Sequence, residues 1–136
     1  MIATLLVALA LQGPAATQSD EPDCRDPQAQ IELNICARMD FERADAELNR
    51  VYRQSIAAER QADRELDRTS DQRPSNESIL RDAQRAWVAF RDAQCIYEAN
   101  GEARGGSMEP MVHGQCMARM TRERTAQLTG PAEPAR

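Results

Sequence analysis

Lysine is absent from all 136 residues, so every one of the 17 basic side chains is arginine. That excludes Schiff-base and other lysine chemistry. Histidine occurs once, as His113 between Val112 and Gly114, with no nucleophile motif around it. A Ser/His/Asp or Cys/His mechanism therefore has little to stand on, and His113 is expected to be a surface or half-buried helix residue. There is no C-x-x-C pair, and one histidine does not complete a familiar zinc set. No metal site and no cofactor are expected. No phosphate-binding glycine motif appears, since Gly105-Gly106-Ser107 alone is a weak signal. Long stretches of strand alternation are missing too, and no internal repeat is visible. Carboxylates are plentiful, but on helices they serve mostly for solvation, and no enzyme activity is expected.

Aromatics are also scarce: one Trp, two Tyr and two Phe. Three of the five fall within Ile79 to Tyr97. There Leu80, Ala83, Trp87, Phe90 and Gln94 recur at steps of three and four, the spacing of one helix face. This face is expected to be the core side, with the other helices packed around Trp87 and Phe90. Arg81, Asp82, Arg85 and Asp92 make the solvated flank, Asp82 and Arg85 being spaced for a weak ion pair.

Taken from its start, the chain opens with an apolar run, Ile2 to Leu11, far short of the roughly 20 residues that span a bilayer. Small residues follow at Ala15, Ala16 and Thr17. We assign residues 1–17 as a signal peptide, although the usual basic n-region is missing. The expected location is periplasmic or secreted, without a lipid anchor, because Cys24 follows Glu21-Pro22-Asp23 and not a small apolar lipobox. Residues 18–130 are expected to form one domain and 131–136 a disordered tail.

Four cysteines, Cys24, Cys36, Cys95 and Cys116, argue for two disulfides in a short exported chain. If helices flank the Gly-rich loop near residues 101 to 107, Cys95 lies roughly 9 Å before it and Cys116 roughly 12 Å after it. The similar depth favours Cys95–Cys116, and Cys24–Cys36 follows by elimination. Asp26-Pro27 has the form of an N-cap and first helical residue. The pattern continues through Leu33, Ala37, Phe41, Ala44, Leu48, Val51 and Tyr52, with a break expected near Cys36 to Asp40 if there are four helices and not three. Thr69 to Ser78 is a polar connector. Asn100-Gly101 is a C-cap pair for the central helix, and Ser107 a cap for the last, which Gly130-Pro131 ends. The fold class is all-α, a small bundle of three main helices, or four if the first is broken.

Charge is uneven within the net -5. From Asp20 to Asn49 there are nine acids against three arginines. This disfavours nucleic acid as a partner and suits a cationic protein or peptide, although a solvated helix face explains it equally well. Asp45, Asn49 and Tyr52 lie at i, i+4 and i+7, and Arg91 and Asp92 stand in the central helix. A buried or half-buried polar network of Asn49, Arg91 and Tyr52, with Asp45 and Asp92 nearby, is expected between the helices.

Two groups of residues together resemble a known family. The first is Cys24, Glu32-Leu33-Asn34-Ile35-Cys36-Ala37, Ala44-Asp45-Ala46-Glu47-Leu48-Asn49 and Tyr52. The second is Leu80, Ala83-Gln84-Arg85-Ala86-Trp87, Phe90-Arg91-Asp92-Ala93, Cys95, Gly105-Gly106-Ser107, Cys116, Thr121, Arg124 and Leu128. Their order is similar to that of the LprI-type lysozyme-inhibitor family, over roughly Cys24 to Leu128. The resemblance implies a small, exported, disulfide-bonded helical domain in the bacterial envelope that inhibits a cationic lysozyme. An envelope structural or interaction module without effect on lysozyme is the alternative. Under the inhibitor reading, Arg104 with Gly105, Gly106 and Ser107 would enter a substrate cleft carrying paired acids, while Asp40, Glu42, Asp45 and Glu47 steer towards a basic enzyme. Turn chemistry alone also accounts for the glycines.

Overall fold

The computed structural model describes residues 21–130. The proposed signal peptide and the tail from 131 lie outside the described residues, as does the start of the assigned domain. Three helices follow in order: α1 (Gln30–Glu65), α2 (Asn76–Ala103) and α3 (Glu109–Thr129). Among the described residues there is no strand. Both expected disulfides are present, Cys24–Cys36 and Cys95–Cys116.

The first helix starts later than Asp26-Pro27 implies. Glu32 in its first turn fixes the entry of the chain, its Oε2 accepting from the backbone N–H of Gln28 at 2.6 Å and of Ala29 at 3.2 Å. That carboxylate also complements the positive end of the helix dipole. No break occurs near Cys36 to Asp40; α1 is one helix of 36 residues. Its buried residues Ala37, Ala44, Leu48 and Val51 stay on one stripe, with Ile56 round to one side of it, and the exposed side is laced by pairs such as Arg38–Glu42 at 2.7 Å. The Cys24–Cys36 bridge ties the lead-in back along the first two turns of this helix.

The second helix begins under a double cap. Ser75 Oγ accepts from the N–H of Ser78, and Asp63, reaching over from α1, accepts from the N–H groups of Asn76 (2.8 Å) and Glu77 (2.9 Å). It also runs past Asn100-Gly101 to Ala103. With no side chain, Gly101 is tolerated inside the helix at a modest entropic cost. The turn is made instead by Gly105, at φ +71°, a conformation that glycine adopts without strain. Ser107 does not cap α3 with its side chain: Met108 occupies the N-cap position, and Pro110 sits in the first turn.

The core differs from the aromatic centre expected of the sequence. Phe90 is 58 % exposed, and Ala83 is exposed as well. The buried stripe of α2 is Gln84, Arg91, Cys95 and Ala99, flanked by half-buried Trp87 and Val88. The real face is rotated from the apolar spacing because Gln84 and Arg91 are buried on it with their polar ends paired. The innermost cluster is the Cys95–Cys116 bridge with Met117 and Met120, against which Phe41 and Trp87 pack. Helices α1 and α3 make the most extensive contact, and small residues allow it. A Cβ added at Gly114 would stand 3.0 Å from the Ala37 Cβ and carbonyl carbon.

Candidate functional site

Arg91 is the polar centre of the bundle. Its Nη1 donates to Asp45 Oδ1 on α1 and to Thr121 Oγ1 on α3, both at 3.3 Å, and its Nε donates to Asp92 Oδ1 at 2.9 Å. The guanidinium also lies over two rings, with Cζ 5.2 Å from the Phe41 centroid and 5.1 Å from that of Trp87. One side chain therefore touches all three helices. Asn49 is exposed and joins this group only through Asp45, its Nδ2 donating to Oδ2 at 2.8 Å. Tyr52 is half-buried beside Gln84, Arg81, Arg85 and Val88 around a small separate cleft. The structure thus brings Asp45, Arg91 and Asp92 together, adds Thr121 and Phe41, and leaves Asn49 and Tyr52 at the margin.

Trp87 carries a second cation. Arg124 Cζ lies 5.9 Å from its centroid, and Arg124 Nε donates to Gln84 Oε1 at 3.0 Å. Burial pushes the Arg124 guanidinium below its ordinary value, an effect of lost hydration. Every buried side-chain nitrogen and oxygen among the described residues has a hydrogen-bond partner. A fully satisfied cluster of this kind holds the helices in register.

The four acidic candidates all face arginines. Asp40 pairs with Arg122 and, at 3.6 Å, with Arg43. Glu42 pairs with Arg38, Asp45 with Arg91, and Glu47 with Arg50. The hydrogen bond from Arg50 holds the Glu47 carboxyl below its ordinary range. Much of the local negative charge is thereby compensated within the chain, and the field offered to a distant partner is weaker than a count of acids suggests.

At one end of the bundle the α2–α3 turn runs from Arg104 to Met108. It is short and tied down. The N–H of Gly106 donates to Ala103 O at 2.8 Å, the N–H of Gly105 to Glu109 Oε2 at 2.6 Å, and Asn34 Nδ2 on α1 to Ser107 O at 3.0 Å. The buried Cys95–Cys116 bridge holds the two helices beneath it. Arg104 is exposed on this turn, and among the described residues it has no carboxylate within 4 Å. Beside it lies a mostly apolar groove of about 690 Å³, walled by Ile35 and Phe41 of α1, Ile96 of α2 and Met117 of α3, with Gly105 and Gly106 at its rim and half-buried His113 on one side. Sequence reasoning had identified the rim but missed the walls. The available signal was Gly114 inside a helix, which marks a close helix approach.

Among the described residues no group of three or more His, Cys, Asp or Glu is placed to hold a metal ion. None of the described helices is long and apolar enough to cross a membrane.

Comparison with known proteins gives three results. The family model described as "Lysozyme inhibitor LprI" matches residues 24–128. The chain is similar to "Uncharacterized protein R02472" of Rhizobium meliloti (strain 1021), 47 % identical over 131 residues that cover 96 % of this chain and 94 % of the relative. It is also similar to "Uncharacterized protein YecT" of Escherichia coli (strain K12), 31 % identical over 101 residues, 71 % of this chain and 60 % of that one. No solved structure matches. The family match spans all three helices and both disulfides, and on it the chain belongs to the LprI lysozyme-inhibitor family.

Proposed function

We propose that this protein is an exported, non-enzymatic lysozyme-inhibitor-like protein that acts in the periplasm or outside the cell on a cationic partner such as lysozyme. Membership of the LprI family carries this reading. Two disulfides fit an oxidising compartment, and the apolar run Ile2 to Leu11 fits a signal peptide.

Inhibition requires a rigid element that covers or enters a cleft with paired acids. The turn at Arg104 has that character, being exposed, short and tied to both flanking helices and to α1. A guanidinium suits the purpose because it engages a carboxylate through two parallel hydrogen bonds. Net charge of -5 assists encounter with a basic enzyme, an effect that salt screens. The test is a cell-wall lysis assay with the purified oxidised protein and lysozymes of several types. Dose-dependent, saturable loss of lysis of at least one type is expected. Undiminished lysis by all of them would refute the reading and leave the envelope interaction module.

A further inference from the structure

The outward face of α2 carries an apolar seam that the bundle does not use. Ile79, Ala83, Ala86, Phe90, Ala93 and Tyr97 follow one another at steps of four, three, four, three and four, and all six are exposed. The large ones are among the most exposed hydrophobics of the chain, Ile79 at 51 %, Phe90 at 58 % and Tyr97 at 74 %. Alternating steps of three and four along a helix make the seam of a two-helix packing. The packed stripe of the same helix, Gln84, Arg91, Cys95 and Ala99, points the other way. The seam is therefore not a core face left half covered. Solvent-exposed apolar patches of this continuity mark interaction surfaces.

We infer that this face pairs with α2 of a second copy of the chain, antiparallel, about a two-fold axis near residue 88. The seam is complementary to its own reverse. A two-fold contact demands that if one residue meets another, the second meets the first on the other side. With the axis at 88, Ala86 of one copy meets Phe90 of the other, Ala83 meets Ala93, and Ile79 meets Tyr97. The bulky Phe90 thus falls on a small partner, and alanines at Ala83 and Ala93 let the helices approach closely, towards the about 8 Å end of interaxial distances. The axis also lies near the middle of α2, which runs from Asn76 to Ala103, so the two helices overlap over nearly their whole length. A partner selected by charge is disfavoured, because the seam itself carries no charged residue. The face is about 27 Å long at 1.5 Å per residue and one helix wide. At about 10 Å across the strip is on the order of 300 Å² per copy, well under the about 800 Å² per partner of a standard interface, so the pair is a weak, reversible dimer.

Sedimentation equilibrium of the full chain over a wide concentration range tests this. The parent is expected to show a concentration-dependent monomer–dimer equilibrium, weakened at least tenfold by Phe90→Glu and by Ala86→Glu. Both positions are exposed, so helicity and both disulfides should be retained, as circular dichroism and non-reducing peptide mapping would show. The double variant Ala86→Glu with Phe90→Arg places opposite charges in each antiparallel layer and is expected to regain dimer relative to either single change. A parent that stays monomeric near 1 mM, or a dimer indifferent to both glutamates, would overturn the inference. A double variant no better than the singles would overturn the antiparallel pairing.

Discussion

The guanidinium of Arg91 lies over the indole of Trp87, 5.1 Å from its centroid, and the same Arg91 reaches Asp45 across the bundle at 3.3 Å. An arginine buried to this degree is costly unless its charge and its N–H groups are all engaged. Here two rings, two carboxylates and a threonine hydroxyl engage it.

Replacing Arg91 with alanine removes these contacts and leaves a void beside Trp87. The expected loss is about 2–4 kcal/mol of folding stability, somewhat under the about 3–5 kcal/mol of a fully buried pair because Asp45 and Asp92 are partly exposed. Arg91→Lys should not rescue it fully, since an ammonium offers neither the planar stacking nor the forked donors. Urea denaturation midpoints of the two variants check this, and a loss for the alanine variant within about 0.5 kcal/mol, the level of surface substitutions, would place the centre of the fold elsewhere.

Gly114→Ala should destabilise the protein by about 1–3 kcal/mol, the usual cost of overpacking. The added methyl would meet the Ala37 Cβ and backbone at 3.0 Å, and α1 and α3 must separate to admit it. Gly101→Ala, in contrast, has nothing within 4 Å of the new Cβ and should stabilise α2 slightly, by about 0.5–1 kcal/mol. Thermal melts of the pair of variants should shift in opposite directions.

The two bridges should differ in weight. Cys95 and Cys116 are fully buried and join residues 21 apart, whereas Cys24 and Cys36 are half-buried and 12 apart. Removing Cys95–Cys116 by double alanine substitution should cost about 3–5 kcal/mol, loop entropy plus lost packing, and removing Cys24–Cys36 about 2–3 kcal/mol. Chemical denaturation under oxidising conditions tests the order.

Much of the architecture was legible in the sequence, because local rules suffice for it. Three helices, the polar connector and both cysteine pairings follow from periodicity, turn residues and depth along the helices. What was not legible depended on contacts distant in sequence. Asp63 caps α2 from another helix, and no local pattern announces that. Glu32, not Asp26, holds the backbone N–H groups just ahead of α1, since a carboxylate in the first turn can reach back to them. Phe90 is bulky yet faces outward; Gln84 and Arg91 fill the inner face instead, their polar ends satisfied by Arg124, Asp45 and Thr121. At the candidate site the rim residues Gly105 and Gly106, and Arg104 next to them in the chain, stood out locally, while the walls of the groove come from three helices and appear only on folding.

Acid should loosen the end of the bundle where α1 meets the start of α2. Arg60 and Arg81 hydrogen-bond Glu77, each with an Nη2 at 2.7 Å, and pull its carboxyl from 4.5 down to about 2. A carboxyl depressed on folding contributes stability above its ordinary value and loses it as pH falls through the depressed one. The contribution should therefore be intact at pH 5 and decline between about 4.5 and 2. In Glu77→Gln the part of the acid response in that window should be reduced, and added salt should shrink the difference between parent and variant. Stability measured against pH for the two proteins, at low and at high salt, reads this directly.

On the proposed function, Arg104, exposed on a turn anchored beneath by Cys95–Cys116, would be the group that enters the lysozyme cleft. Titrating Arg104→Ala against the parent in one lysis assay, with the fold of both checked by circular dichroism, is the most direct measurement of it. Loss of a charge-assisted hydrogen-bonded pair is worth about 1.5–3 kcal/mol, so the variant should need about ten- to a hundredfold more protein for half-inhibition. Equal potency of variant and parent, or no inhibition by the parent at all, would contradict the claim.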